Sequence, residues 1–139
     1  MNLLTLRGKV LANTVKRITL FDGSFQTAYK IKSFTVVPQD ITTQEGVFMK
    51  ILTEETAHAT GWFWAKQTEV GWAQYGAPIS SRFGEYNRVD RDALIVEDLY
   101  LDATADTGEY VNYMIELEKV KVSDYVGALA MVRNNSQSV

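Results

Sequence analysis

The stretch Val111-Asn112-Tyr113-Met114-Ile115-Glu116-Leu117-Glu118-Lys119-Val120-Lys121-Val122 alternates with period two along its length. Val111, Tyr113, Ile115 and Leu117 fall on one side; Asn112, Met114, Glu116 and Glu118 fall on the other. This is the pattern of a long half-buried strand, rich in β-branched and aromatic residues. A strand of that kind needs partners on its edges and a second layer against its apolar face. The rest of the chain is read as supplying both.

Residues 3–11 alternate imperfectly and predict a first strand, with Gly8 marking either a bulge or a close backbone approach. Asn13-Thr14 turns the chain, and 15–21 is a second strand. Asp22-Gly23 then predicts a tight hairpin, because a type I′ turn needs positive φ at both central residues. The return strand starts at 24–28 and continues over 29–37 after a kink. Pro38 ends it, having no N–H for the ladder. Residues 47–52 (Val-Phe-Met-Lys-Ile-Leu) are apolar on both faces and predict an interior strand. Residues 57–65 resume extended structure, 68–75 form a short strand, and 80–92 look irregular. Residues 93–103 form a strong strand, joined through a hairpin loop at 104–109 to the opening stretch. Ser123 is placed to cap a helix over 124–133, and 134–139 is a polar tail. The expected fold is all-β: an antiparallel two-sheet sandwich, jelly-roll-like, over residues 1–122, with a short C-terminal helix and tail over 123–139.

Composition narrows function mainly by exclusion. A chain of 139 residues suits one domain, and with no cysteine it has neither disulfides nor thiolate metal sites. No apolar stretch approaches a membrane span, and the N-terminus lacks the basic region of a signal peptide, so the expectation is a product made in the cytoplasm. Charge is uneven. Residues 1–50 hold seven basic against three acidic side chains, a balance of +4, and the remainder holds seven against fourteen, a balance of −7. Such asymmetry favours contact between copies of the chain.

No constellation carries convincing chemistry. The late acids, including Glu97 and Asp98, do not follow a calcium-loop pattern. Adjacent carboxylates on a strand also point to opposite faces. His58 is the single histidine, and no Gly-x-Ser-x-Gly turn accompanies it. Lys30 with Lys32, and Arg7 with Lys9, give only a thin basic stripe. The pI is about 5.1, which disfavours nucleic acid as a partner. We therefore expect no enzymatic activity, no cofactor and no metal. The aromatic residues Trp62, Trp64, Trp72 and Tyr75 stand out. If 57–65 is a strand, Trp62 and Trp64 share a face and make a flat platform for sugars or bases, or a core or subunit contact.

Two groups of segments also resemble a known class. One is Val15-Lys16-Arg17-Ile18, Phe21-Asp22-Gly23-Ser24-Phe25 and Tyr29-Lys30-Ile31. The other is Leu94-Ile95-Val96-Glu97-Asp98-Leu99-Tyr100 with Asn112 to Glu118 and the ending Gly127-Ala128-Leu129-Ala130-Met131-Val132-Arg133-Asn134-Asn135-Ser136-Gln137. Together they resemble small virion structural proteins of phages and environmental viruses. The resemblance implies a virion component made in the host cytoplasm: a self-assembling capsid subunit, or a cement protein that decorates and stabilises a capsid. Its partners would be copies of itself and other capsid subunits, with no membrane. Candidate contact residues are Trp62, Trp64, Trp72 and Tyr75 in the 57–92 region, and Tyr125 and Leu129 in the tail. The alternative is a carbohydrate- or receptor-binding lectin-like module whose glycan stacks on Trp62 and Trp64.

Overall fold

The computed structural model describes residues 3–20, 27–40, 46–76, 85–105 and 108–121. Within them lie eight strands: β1 (Leu3–Leu11), β2 (Thr14–Ile18), β3 (Thr27–Pro38), β4 (Gly46–Leu52), β5 (Glu69–Gly76), β6 (Glu85–Val89), β7 (Leu99–Ala105) and β8 (Tyr110–Lys121). They make two antiparallel sheets, in the orders β1-β8-β3 and β2-β7-β4-β5-β6. The helix expected over 124–133 lies outside the described residues, as do Tyr125 and Leu129.

The alternating stretch is β8, the middle strand of the three-stranded sheet. Val111, Ile115 and Leu117 are fully buried, while Met114 is exposed. The inner faces of both sheets meet in one core. Val10, Ile31, Phe34, Val36, Val111, Ile115 and Leu117 come from one sheet, and Val47, Met49, Ile51, Ala73, Leu99, Leu101 and Ala103 from the other. Each fully buried Val, Leu, Ile, Phe or Met of this set contributes about 1.5–3 kcal/mol. That shared burial is the main force holding the sheets together. As its apolar run predicts, β4 is interior, paired with β5 on one side and β7 on the other.

Gly8 is a close approach and not a bulge. The β1–β8 register runs unbroken through it, opposite Tyr113. A Cβ at Gly8 would stand 2.9 Å from the Tyr113 Oη. Tyr113 therefore lies inward over a bare backbone, and burial pushes its phenol pKa above the ordinary value. The un-ionised ring is the form the fold prefers. Stability from this group is present below the unfolded pKa near 10 and is lost as pH rises towards the raised folded value. Urea unfolding at about pH 9 and about pH 11 should show a smaller alkaline loss in Tyr113→Phe than in the wild type. Equal losses would mean that Tyr113 ionises as freely in the fold as out of it.

Several sequence expectations need correction. The turn at Asp22-Gly23 lies outside the described residues, but the strands around it are not hairpin partners. β2 pairs with β7, and β3 pairs with β8. Likewise β7 and β8 belong to different sheets, so 104–109 links the layers instead of closing a hairpin. Turn chemistry reverses a chain; it does not choose the partner strand. The strand expected over 93–103 starts only at Leu99. Before it, Ile95 makes one isolated bridge with Tyr29, and Asp98 takes the Arg17 guanidinium and the Leu20 N–H. A polar side chain there does the work that a ladder does elsewhere. Residues 85–89, inside a region expected to be irregular, form β6. Its charge is what an edge strand tolerates. Residues 57–65 contain no strand at all.

Candidate functional site

The outward face of the five-stranded sheet is built in two rows. Register places Asp102, Lys50, Trp72 and Arg88 side by side across β7, β4, β5 and β6, and Thr104, Phe48, Gln74 and Tyr86 in the next row. Charges in the middle of a sheet must be paired if they are covered. They are covered here by the non-strand segment 57–66, which runs across the sheet from β7 towards β6 and uses each of them in turn.

Asp102, with its side chain fully buried, pairs with His58 Nδ1 and accepts the Ala59 N–H at 2.9 Å. Lys50 Nζ donates to the Gly61 carbonyl at 2.7 Å and to Glu69 Oε2 at 3.2 Å. Glu69 Oε1 accepts the Phe63 N–H at 2.8 Å and the Trp72 Nε1–H at 3.0 Å. Side chains of Lys50 and Glu69 are only 4% and 1% exposed, so this ion pair is internal although it sits on an outer face. Three buried charged groups thus satisfy backbone that has no ladder of its own, and they fix the path of the loop.

That path delivers a continuous aromatic ledge. Phe48 meets Trp62 edge-on at 5.9 Å, and Trp62 meets Tyr86 at 5.5 Å. Tyr86 stacks with Trp64 at 6.2 Å, and Trp64 meets Trp72 at 5.8 Å. These are favourable separations for ring pairs. Trp64 remains 59% exposed and Phe63 48%. Two hollows flank the row. One is lined by Phe48, Thr60, Trp62 and Gln74. The other, about 370 Å³, is lined by Trp64, Trp72, Tyr86, Arg88, Val89 and Asp90. The Trp62 Nε1 is buried and has no hydrogen-bond partner among the described residues.

The structure therefore brings Trp62, Trp64 and Trp72 together, but by a different route from the expected one. They do not share a strand face; a pinned loop and Tyr86 join them. Tyr75 is elsewhere, opposite Val47 on the inward side and packed against the core. Sequence reasoning misses Tyr86 and Arg88, because glycine, serine and charge dominate 80–92, and it counts Asp90 only among the late acids. The one available signal was a lone Lys50 in an apolar run and a lone Asp102 in another: charges in interior strands are rarely left unpaired. Arg7 and Lys9 do share the outer face of β1, as their register shows. Lys30 and Lys32 also stand on one outer face, Lys30 opposite Glu118 in the ladder and Lys32 paired with its carboxylate, with the bulge between Ile31 and Ser33 lying between them.

No protein-family model matches this chain, and no curated protein sequence matches it. The arrangement itself must carry the functional argument. Among the described residues no group of three His, Asp or Glu is close enough to hold a metal ion. What the ledge offers is flat apolar surface with polar groups at its rim.

Proposed function

We propose that the chain is a virion structural subunit, either a self-assembling capsid protein or a cement protein that stabilises a capsid. The observation that carries this reading is the pairing of the strands. First pairs with last, second with seventh, and fourth with fifth. The third lies beside the sixth, where Lys32, Ser33, Phe34 and Thr35 line one hollow with Asn87, Arg88 and Val89. That is one long antiparallel ribbon wrapped upon itself, which supports the jelly-roll form of the sandwich. β6 departs from the four-plus-four arrangement by pairing with β5. Jelly rolls serve repeatedly as capsid domains. Fold alone does not assign function, so the resemblance to virion proteins and the character of the surface are needed beside it.

The outer face of the three-stranded sheet has that character. Leu3, Leu11, Val37, Tyr110 and Met114 are all at least partly exposed there. Arg7 and Lys9 stand towards one end, Glu116 and Glu118 towards the other. Side chains of this mixture suit repeated contacts between copies, each weak and held by avidity.

Light scattering across concentration, with negative-stain imaging, tests the reading. We expect discrete oligomers or shells of closed symmetry. Met114→Asp should weaken association at least about tenfold, the effect of about 1.4 kcal/mol. A chain that stays monomeric at high concentration and also fails to bind preformed shells would overturn the proposal.

A further inference from the structure

We propose that the hollow between Trp64, Trp72, Tyr86, Arg88 and Asp90 binds a pyranose ring of a glycan. The inference does not depend on whether the chain assembles.

The first support is rigidity. A loop with two large exposed rings would ordinarily be mobile, and a ligand would have to order it. Here His58, Ala59, Gly61 and Phe63 are each held, directly or through the backbone, by Asp102, Lys50 or Glu69. Folding has already fixed the loop, so little ordering remains at the moment of binding. Nothing about core formation requires Trp64 to stand 59% exposed at the end of it.

The second support is the match of chemistry. A pyranose presents a face of C–H groups and a rim of hydroxyls. Trp64, Trp72 and Tyr86 supply flat apolar surface for the face. Arg88, exposed on β6, supplies only donors, and Asp90 supplies acceptors to the rim. Asp90 Oδ1 already takes the Asp92 N–H at 3.0 Å, which fixes the orientation of the carboxylate. One cation and one anion make the rim neutral, as an uncharged polyhydroxyl ligand requires. In this hollow a nucleic acid would meet Arg88 beside Asp90, one cation offset by one anion and not a stripe of cations to hold its phosphates.

The third support is separate. Trp62 lines the neighbouring hollow with Phe48, Thr60 and Gln74. Its indole gives that hollow an apolar face of its own, and the Thr60 hydroxyl and Gln74 amide give it donors and acceptors. The ledge from Trp62 through Tyr86 to Trp64 thus fits two successive units better than one.

The test is calorimetric titration, with tryptophan fluorescence alongside, against oligosaccharides of glucose, galactose, mannose and N-acetylglucosamine and against single-stranded DNA of equal length. Light scattering is run on the same samples, so loss of sugar binding and loss of assembly are read separately. We expect at least one saccharide to bind. Trp64→Ala should weaken it about tenfold or more, and Arg88→Ala should weaken it while leaving the melting temperature unchanged. A longer oligosaccharide should bind more tightly than the monosaccharide, and Trp62→Ala should erase that difference. Binding by none of the saccharides overturns the proposal. So does saccharide binding unchanged by both Trp64→Ala and Arg88→Ala, or a Trp64→Ala protein that loses only association between copies, which would make the ledge a subunit contact.

Discussion

Replacing Glu69 by alanine is expected to lower the unfolding free energy by about 3–5 kcal/mol, the usual result of removing one partner from a buried ion pair. Glu69 holds three groups at once: Lys50, the Phe63 N–H and the Trp72 indole. Its loss strands the Lys50 ammonium, only 4% exposed, against the sheet. Glu69→Gln should also be strongly destabilising, since it keeps shape but removes the charge that Lys50 needs. The double change Lys50→Met with Glu69→Leu separates two roles. Buried pairs can often be exchanged for apolar residues of similar volume with little loss, so much of the stability should return. The loop should not recover with it, because the Gly61 carbonyl and Phe63 N–H lose their anchors. Urea unfolding measures the first effect, and protease cleavage within 57–66 measures the second. A double variant as stable as the wild type whose loop still resists cleavage would show that the ion pair does not position the loop.

The second large effect is at Phe34, the largest of the fully buried side chains among the described residues. Phe34→Ala should cost about 3–5 kcal/mol. Phe34 points inward only because of a bulge. Ile31 pairs with Leu117 and Ser33 with Glu116, so Lys32 is the extra residue between them. In an unbroken strand, Ile31 and Ser33 would share a face and Phe34 would turn to solvent. Deleting Lys32 gives a sharp contrast. The sequence Ile31-Ser33-Phe34 then alternates regularly and leaves both large residues inside. The deletion removes an exposed ion pair with Glu118 at 3.5 Å, worth about 0–1 kcal/mol. It should therefore be far milder than the single substitution. If the deletion unfolds the protein as readily as Phe34→Ala does, the bulge has a structural role beyond register.

These two sites show what was readable in the sequence and what was not. Strands buried on one or both faces declare themselves through side-chain period. Hence β1, β4, β5 and β8 lie close to their expected bounds, and the all-β, two-sheet character followed. Pairing is less legible because strand partners are chosen by the whole chain. Asp22-Gly23 suggested β2 against β3, and the loop at 104–109 suggested β7 against β8, yet each pair divides between sheets. The candidate site was half legible. Trp62, Trp64 and Trp72 stand out by composition, but aromatic residues are good strand formers. Their presence in 57–65 therefore mimicked a strand. What keeps that segment out of a ladder is tertiary: the side chains of Asp102, Lys50 and Glu69, each far from the segment's own local pattern or just beyond it. Tyr86 went unnoticed because β6 is short and polar, as edges are.

The pairing of Leu3 with Glu118 and of Leu11 with Tyr110 has a kinetic consequence. β1 can find its neighbour only after the chain has been made through residues 110–118 and these have left the ribosome. Until then its apolar residues have no sheet to join, and the core facing it stays open. Folding dominated by such distant pairings is slow, in the millisecond-to-second range for comparable all-β topologies, and the waiting chain is exposed to aggregation. Moving the chain ends by circular permutation, so that β8 runs directly into β1 through a short linker, would turn the most distant pairing into the most local one. The same native fold should then form measurably faster.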